Sequence, residues 1–145
     1  MKDDNYYSLF PDQRPHYSID PLDKIRENVK ILCSSLKRDY VRETKRFSSR
    51  MIKLNIDVEK HEQNLKEIEN DEVNFIIDEG NKYYKVVQIF PDNKSKVHCF
   101  VDIDSGDVYK PQSSTSASKK VFFNLEKCIK ICDWRGYYLK DVPND

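Results

Sequence analysis

From Ile25 onward, apolar residues return at Val29, Leu32, Leu36, Tyr40, Phe47, Met51, Leu54, Val58, Leu65 and Ile68, in steps of three, four or seven. Steps of that size fall on one face of an α-helix, so the spacing predicts an amphipathic helical arm over residues 21–72. Asp20 is placed to cap its start, Pro21 to fill the first helical position where a missing N–H costs nothing, and Asp23 to meet the positive end of the helix dipole. Neither glycine nor proline occurs between residues 22 and 79. That permits a single helix of roughly 75 Å at 1.5 Å per residue, or a hairpin broken near Ser48 to Asn55.

After Asp71 the period shortens to that of strands. Runs rich in Val, Ile, Tyr and Phe occupy Phe75 to Ile77, Tyr83 to Phe90, Val97 to Ile103 and Val108 to Lys110. Asp78-Glu79-Gly80-Asn81 and Asp104-Ser105-Gly106-Asp107 read as tight hairpin turns, and Pro91-Asp92-Asn93-Lys94 as a longer one, which makes the strands antiparallel neighbours. A polar stretch from Gln112 to Ser118 precedes a short strand at Val121 to Phe123, a small helix at Leu125 to Cys132 and an aromatic closing segment, Trp134 to Leu139. The fold class is therefore α+β: a long N-terminal helix or helical hairpin, then a small antiparallel β-module (residues 73–140) with a short C-terminal helix. Two ends remain. Residues 1–20 show no period but carry Tyr6, Tyr7, Phe10 and Tyr17, the pattern of an extended tail that is either disordered or an arm whose aromatic side chains dock on a neighbour, the reading the aromatics favour, and residues 141–145 form a C-terminal tail.

With 145 residues, 38% hydrophobic and 34% charged, the chain has material for one modest core and an elongated shape. No run approaches the roughly 20 apolar residues that span a bilayer, and MKDDNYYSLF has neither a basic nor an apolar signal region, so secretion and membrane insertion are not expected.

Net charge is zero, but it is sorted along the arm. Residues 37–53 hold seven Lys or Arg against two acids, and residues 54–72 hold seven Asp or Glu against two lysines. Three readings fit: a solvated helix surface, pairing of the two blocks across a hairpin or with an antiparallel neighbour, or phosphate binding by Lys37, Arg38, Arg42, Lys45, Arg46, Arg50 and Lys53. Lys110, Lys119 and Lys120 flank the Ser/Thr stretch and offer a second set of phosphate donors, with Tyr83, Tyr84, Phe100 and Tyr109 as stacking surfaces; the plainer reading makes those aromatics sheet core.

Cys33, Cys99, Cys128 and Cys132 read as free thiols in a reducing compartment. His98, Cys99, Cys128 and Cys132 are the one set that could supply four zinc ligands, yet their spacing matches no compact zinc motif, and no metal or other cofactor is expected. Asp102, Asp104 and Asp107 lack the glycine and glutamate positions of a calcium loop and read as a hairpin turn. His98 and Cys99 are expected on opposite faces of a strand, too far apart to share a proton. His16 and His61 have no partner that the sequence names. No nucleotide-binding or hydrolase signature occurs, so no catalytic residue is assigned and enzymatic activity is not expected.

The run His98-Cys99-Phe100-Val101-Asp102-Ile103-Asp104-Ser105-Gly106-Asp107-Val108-Tyr109-Lys110-Pro111 resembles a motif, H-x-F-[IV]-D-x-x-[ST]-G-D-V-Y-K-P, of small uncharacterised proteins of bacteriophages and large DNA viruses. Ser113, Lys119, Asn124, Leu125, Asp133, Gly136, Tyr138 and Leu139 fall at corresponding places, while Ser114, Thr115 and Ala117 replace the usual Trp, Lys and Pro. The resemblance covers residues 74–139. It implies a viral origin, in a virion or in host cytoplasm, and a shared β-module.

These patterns favour a non-enzymatic viral structural or interaction protein, such as a minor capsid-associated component whose arm and tail contact other viral structural proteins or a second copy. A nucleic-acid-binding accessory protein is the alternative, and an inhibitor that binds a host protein through its tail the third reading.

Overall fold

The computed structural model describes residues 21–128; the aromatic tail, the Asp20 cap and everything after Cys128 lie outside the described residues. Helix α1 runs Pro21–Lys53 and α2 runs Val58–Glu69. The strands are β1 (Asn74–Glu79), β2 (Tyr83–Ile89), β3 (Ser95–Asp102), β4 (Asp107–Tyr109) and β5 (Phe123–Asn124), followed by a single helical turn, α3 (Leu125–Cys128). All neighbouring strands pair antiparallel, in the order β1-β2-β3-β4-β5. This is an α+β fold, and the last strand is shifted from the expected Val121 to Phe123.

The arm is a hairpin. Its break needs neither glycine nor proline, because Asn55 (φ 59°) and Asp57 (φ 45°) take the left-handed conformation that Asn and Asp tolerate best among residues with a side chain. Around Asn55, Ile56 N–H donates to Met51 O at 2.9 Å, the wrap-around bond that satisfies an orphan carbonyl at a helix end. The same device closes α2, where Asp71 (φ 59°) is left-handed and Glu72 N–H donates to Glu67 O at 2.9 Å.

The inner half of the apolar stripe covers the module's own sheet. Val29, Leu32, Cys33, Leu36 and Tyr40 are buried in one cluster with Phe75, Tyr84, Val86, Cys99, Val101, Val108 and Leu125. All of these sheet-side residues but Leu125, which opens α3, are alternate residues of β1 to β4, so α1 lies on one face of the sheet, and arm and module share one core. Full burial of side chains of this size stabilises by about 1.5–3 kcal/mol each, which makes this layer the main source of stability.

A β-bulge corrects the expected disposition of His98 and Cys99. Opposite Val86 and Val87, β3 supplies Cys99, His98 and Val97, so His98 is an extra residue and strict alternation fails there. Both side chains are buried: Cys99 joins the core, and the His98 ring meets the edge of Phe75 with centroids 6.1 Å apart.

Candidate functional site: the distal hairpin and the outer sheet face

Beyond Val41, α1 adds no residue to the sheet core, and the contacts that follow are with α2. Ser48 Oγ and His61 Nδ1 lie 3.0 Å apart, at 1% and 5% exposure, and the Phe47 ring stands edge-on to His61 at 5.4 Å. At the base, Lys37 Nζ donates to Asp71 and, at 2.7 Å, to Asn74 Oδ1, tying α1 to the end of α2 and the start of β1.

The same apolar stripe continues past the sheet. Phe47 and Leu54 lie on the helix face that carries Val29 and Leu36, but they are 51% and 57% exposed, and Ile56 in the turn is 46% exposed. Against the 0% exposure of Leu32 and Leu36, this is a ledge of core-type residues without a covering layer.

The blocks of opposite charge do not zip together. Lys37 reaches Asp71, whereas Arg42 pairs with Asp39 and Glu43, and Arg46 with Glu43, all within α1. Among the described residues, Arg38, Lys45, Arg50 and Lys53 are exposed with no carboxylate within 4.0 Å. The geometric reason is that α2 packs on the Ser48 side of α1, while Arg42, Arg46, Arg50 and Lys53 lie about 120° or more around the helix from it, at 100° per residue.

The motif segment is largely a folding device. Asp102 Oδ1 accepts from the N–H groups of Asp104 (2.8 Å) and Ser105 (3.0 Å), Gly106 turns the chain at φ 78°, and its N–H donates to Asp102 O at 2.9 Å. Asn124 then clamps the turn, its Nδ2 donating to Ser105 O and to Asp107 Oδ1 at 3.0 Å each, while Leu125 N–H donates to Gly106 O at 3.0 Å. The carboxylates of Asp102 and Asp107 are thus used as turn acceptors, in keeping with the hairpin reading. Pro111 pairs with Ala117, and Lys110 Nζ stands 4.4 Å from the Phe122 ring centroid.

The other face of the sheet carries Tyr83, Phe100 and Tyr109, with Tyr83 edge-on to both others at 5.6 and 5.8 Å. Tyr84 is not among them: strand alternation turns it into the helix-covered core at 4% exposure. Phe100 is also covered, at 3% exposure, beneath Lys85, whose Nζ is 5.8 Å from its ring centroid. An open hollow of about 200 Å³ lies here, lined by Asp78, Lys82, Tyr83, Lys85, Phe100 and Thr115 among others. Lys82 and Lys85 went unnoticed in the sequence because nothing local marks which face of β2 a lysine shares with aromatics.

Thr115 brings the Ser/Thr stretch to this outer face. The stretch is an ordered loop: Ser113 Oγ accepts from the N–H groups of Thr115 (3.2 Å) and Ser116 (3.1 Å), and Ser118 N–H closes on Lys110 O at 2.8 Å. Since α1 covers the opposite face, the basic block of the arm and the lysines flanking this loop are two separate surfaces. Lys119 and Lys120 are exposed in the segment leading to β5.

Tyr6, Tyr7, Phe10 and Tyr17, together with Cys132 of the possible zinc set, lie outside the described residues. Among the described residues no group of three or more His, Cys, Asp or Glu could hold a metal ion. No helix is long and apolar enough to cross a membrane, again among the described residues. Burial pushes the Cys33 thiol up to about 12.

With the two surfaces described, comparison with known proteins adds one match. A family of unknown function (DUF7717) matches residues 9–140. The chain belongs to this family. The matched span takes in arm and module together, as their shared core requires of any chain that folds this way. No curated protein and no solved structure matches.

Proposed function

We propose that this DUF7717 protein is a non-enzymatic interaction protein, a minor structural component of a virus particle, anchored by its sheet module and contacting neighbours through the distal hairpin. The observation that carries this reading is the stripe that changes role along one helix. Through Tyr40 it is core, and at Phe47 and Leu54 the same face stands exposed beyond the sheet. Extending a rigid α-helical hairpin past the body of a protein with apolar residues on its surface costs solubility, and a partner surface that covers them returns that cost. The likeness of residues 98–111 to proteins of phages and large DNA viruses supports the viral setting.

The test is whether the full chain is a constituent of purified particles of the virus that encodes it. Retention at a fixed copy number after gradient purification and a high-salt wash is the expected result. Recovery of the chain solely in the soluble fraction of infected cells sinks the particle reading.

A further inference from the structure

Arg38, Arg42, Arg46 and Arg50 form a single i, i+4 row on α1, with Lys45 and Lys53 beside it. All six are exposed, within an arc of about 140° and a length of about 22 Å at 1.5 Å per residue. The helix dipole accounts for little of this, because its effect is confined to the last turn, where Arg50 and Lys53 stand. Nor do local pairs cancel it. Glu43 and Asp39 engage Arg42 and Arg46, whose side chains stay 56% and 62% exposed, and the other four have no carboxylate within 4.0 Å among the described residues. The acidic block is on α2, behind the row.

Four of the six are arginines, whose planar forks match phosphate oxygens two at a time. Arg38 stands on the side of α1 opposite the buried Val29, and the other five lie beyond Tyr40, so an extended polyanion can lie along them without meeting the sheet. A duplex presents about one negative charge per 1.7 Å of axis, a density that a 22 Å row of cations meets along its whole length. The single-stranded alternative needs a series of open aromatic faces, and beside the row α1 offers one, Phe47, already edge-on to His61, while on the outer sheet face Phe100 is buried and lysine ammonium groups stand over the rings of Tyr83 and Phe100.

We infer that the arginine row of α1 binds the phosphate backbone of duplex nucleic acid, without reading its sequence. This goes beyond the particle reading and does not depend on it: Arg38, Arg42 and Arg46 lie about 100° or more around the helix from Phe47, only Arg50 adjoins the ledge, one turn before Leu54, and phosphate binding by the row needs no partner on the ledge.

The experiment is fluorescence anisotropy of the full chain against a labelled 20-base-pair DNA duplex between 50 and 200 mM salt. Parallel arms use one strand of that duplex and vesicles of mixed neutral and anionic phospholipid. Four cations engaged with phosphates give an affinity that falls about a hundredfold over that range. The variant R38Q/K45Q/R50Q/K53Q removes the cations that have no acid to leave behind, and is expected to abolish duplex binding at 50 mM salt with an unchanged circular dichroism spectrum. K24Q/K30Q/K94Q/K96Q removes the same charge elsewhere and is expected to bind within about threefold of the parent. Absence of duplex binding at 50 mM salt overturns the inference. So do equal losses in the two variants, tighter binding to the single strand than to the duplex, or binding to the vesicles alone.

Discussion

Ser48 Oγ and His61 Nδ1 meet at 3.0 Å inside the hairpin, and the pair sets the register of α2 against the half of α1 that extends past the sheet. It is the polar contact buried between two helix surfaces that are otherwise strongly charged. Ser48→Ala leaves a buried imidazole nitrogen without its partner, which costs about 1–3 kcal/mol. Urea unfolding is the measurement. Because the sheet core does not touch this pair, hydrogen exchange is expected to quicken in α2 and residues 44–56 while β2 and β3 keep their protection.

The two halves of the stripe should respond oppositely to truncation. Leu36 is fully buried, so Leu36→Ala is expected to destabilise by about 2–5 kcal/mol. Leu54 is 57% exposed, so Leu54→Ser is expected to stay within about 0.5 kcal/mol of the parent in the same unfolding experiment. A large loss from Leu54→Ser would mean that the ledge is covered in the isolated chain.

The motif turn depends on Gly106 and Asn124 in separable ways. A Cβ at Gly106 meets nothing nearer than Ile25 Cγ1 at 3.7 Å, so there is space, but φ of 78° strains any side chain. Gly106→Ala is expected to cost about 1–2 kcal/mol by backbone strain alone. Asn124→Ala removes both bonds of the clamp, for about 1–3 kcal/mol. Since the two changes share one turn, the double variant is expected to fall short of the sum in thermal unfolding.

Burial of Cys33 makes stability fall in alkali. Burial lifts the folded thiol from its ordinary 9.0 to about 12, so below about 9 both states hold the proton and the full contribution is present. Between 9 and 12 the unfolded chain releases a proton that the folded chain keeps, and stability drops by about 1.4 kcal/mol per pH unit. Cys33→Ala is expected to flatten that slope by one proton. A residual slope remains from Tyr40, raised first by burial and further by Glu67, with a hydrogen bond to Thr44 acting the other way.

The core half of the fold was legible because its signals are local: apolar steps of three and four for α1, alternation for the strands, Gly80 and Gly106 for two hairpins. Whether the arm breaks at all was left open, with Ser48 to Asn55 as the candidate region, since left-handed Asn55 and Asp57 carry no glycine to mark them. The bulge at His98 was invisible, because it depends on how β3 registers against β2. The sequence also left open what covers the stripe, and its partner up to Tyr40 proved to be the sheet that follows it in the chain. Of the candidate surfaces, the charge block was visible at once. The exposed ledge was not, because Phe47 and Leu36 look alike until the length of the sheet is known.

The role of the distal hairpin is tested most directly by a photo-cross-linking residue placed at Leu54, with Asp92, exposed in the β2–β3 turn, as the control position. Irradiation during infection is expected to give one discrete adduct from position 54, containing a particle subunit or a second copy of this chain, and none from position 92. If position 54 yields no adduct, or the same diffuse products as position 92, the hairpin is not the contact surface.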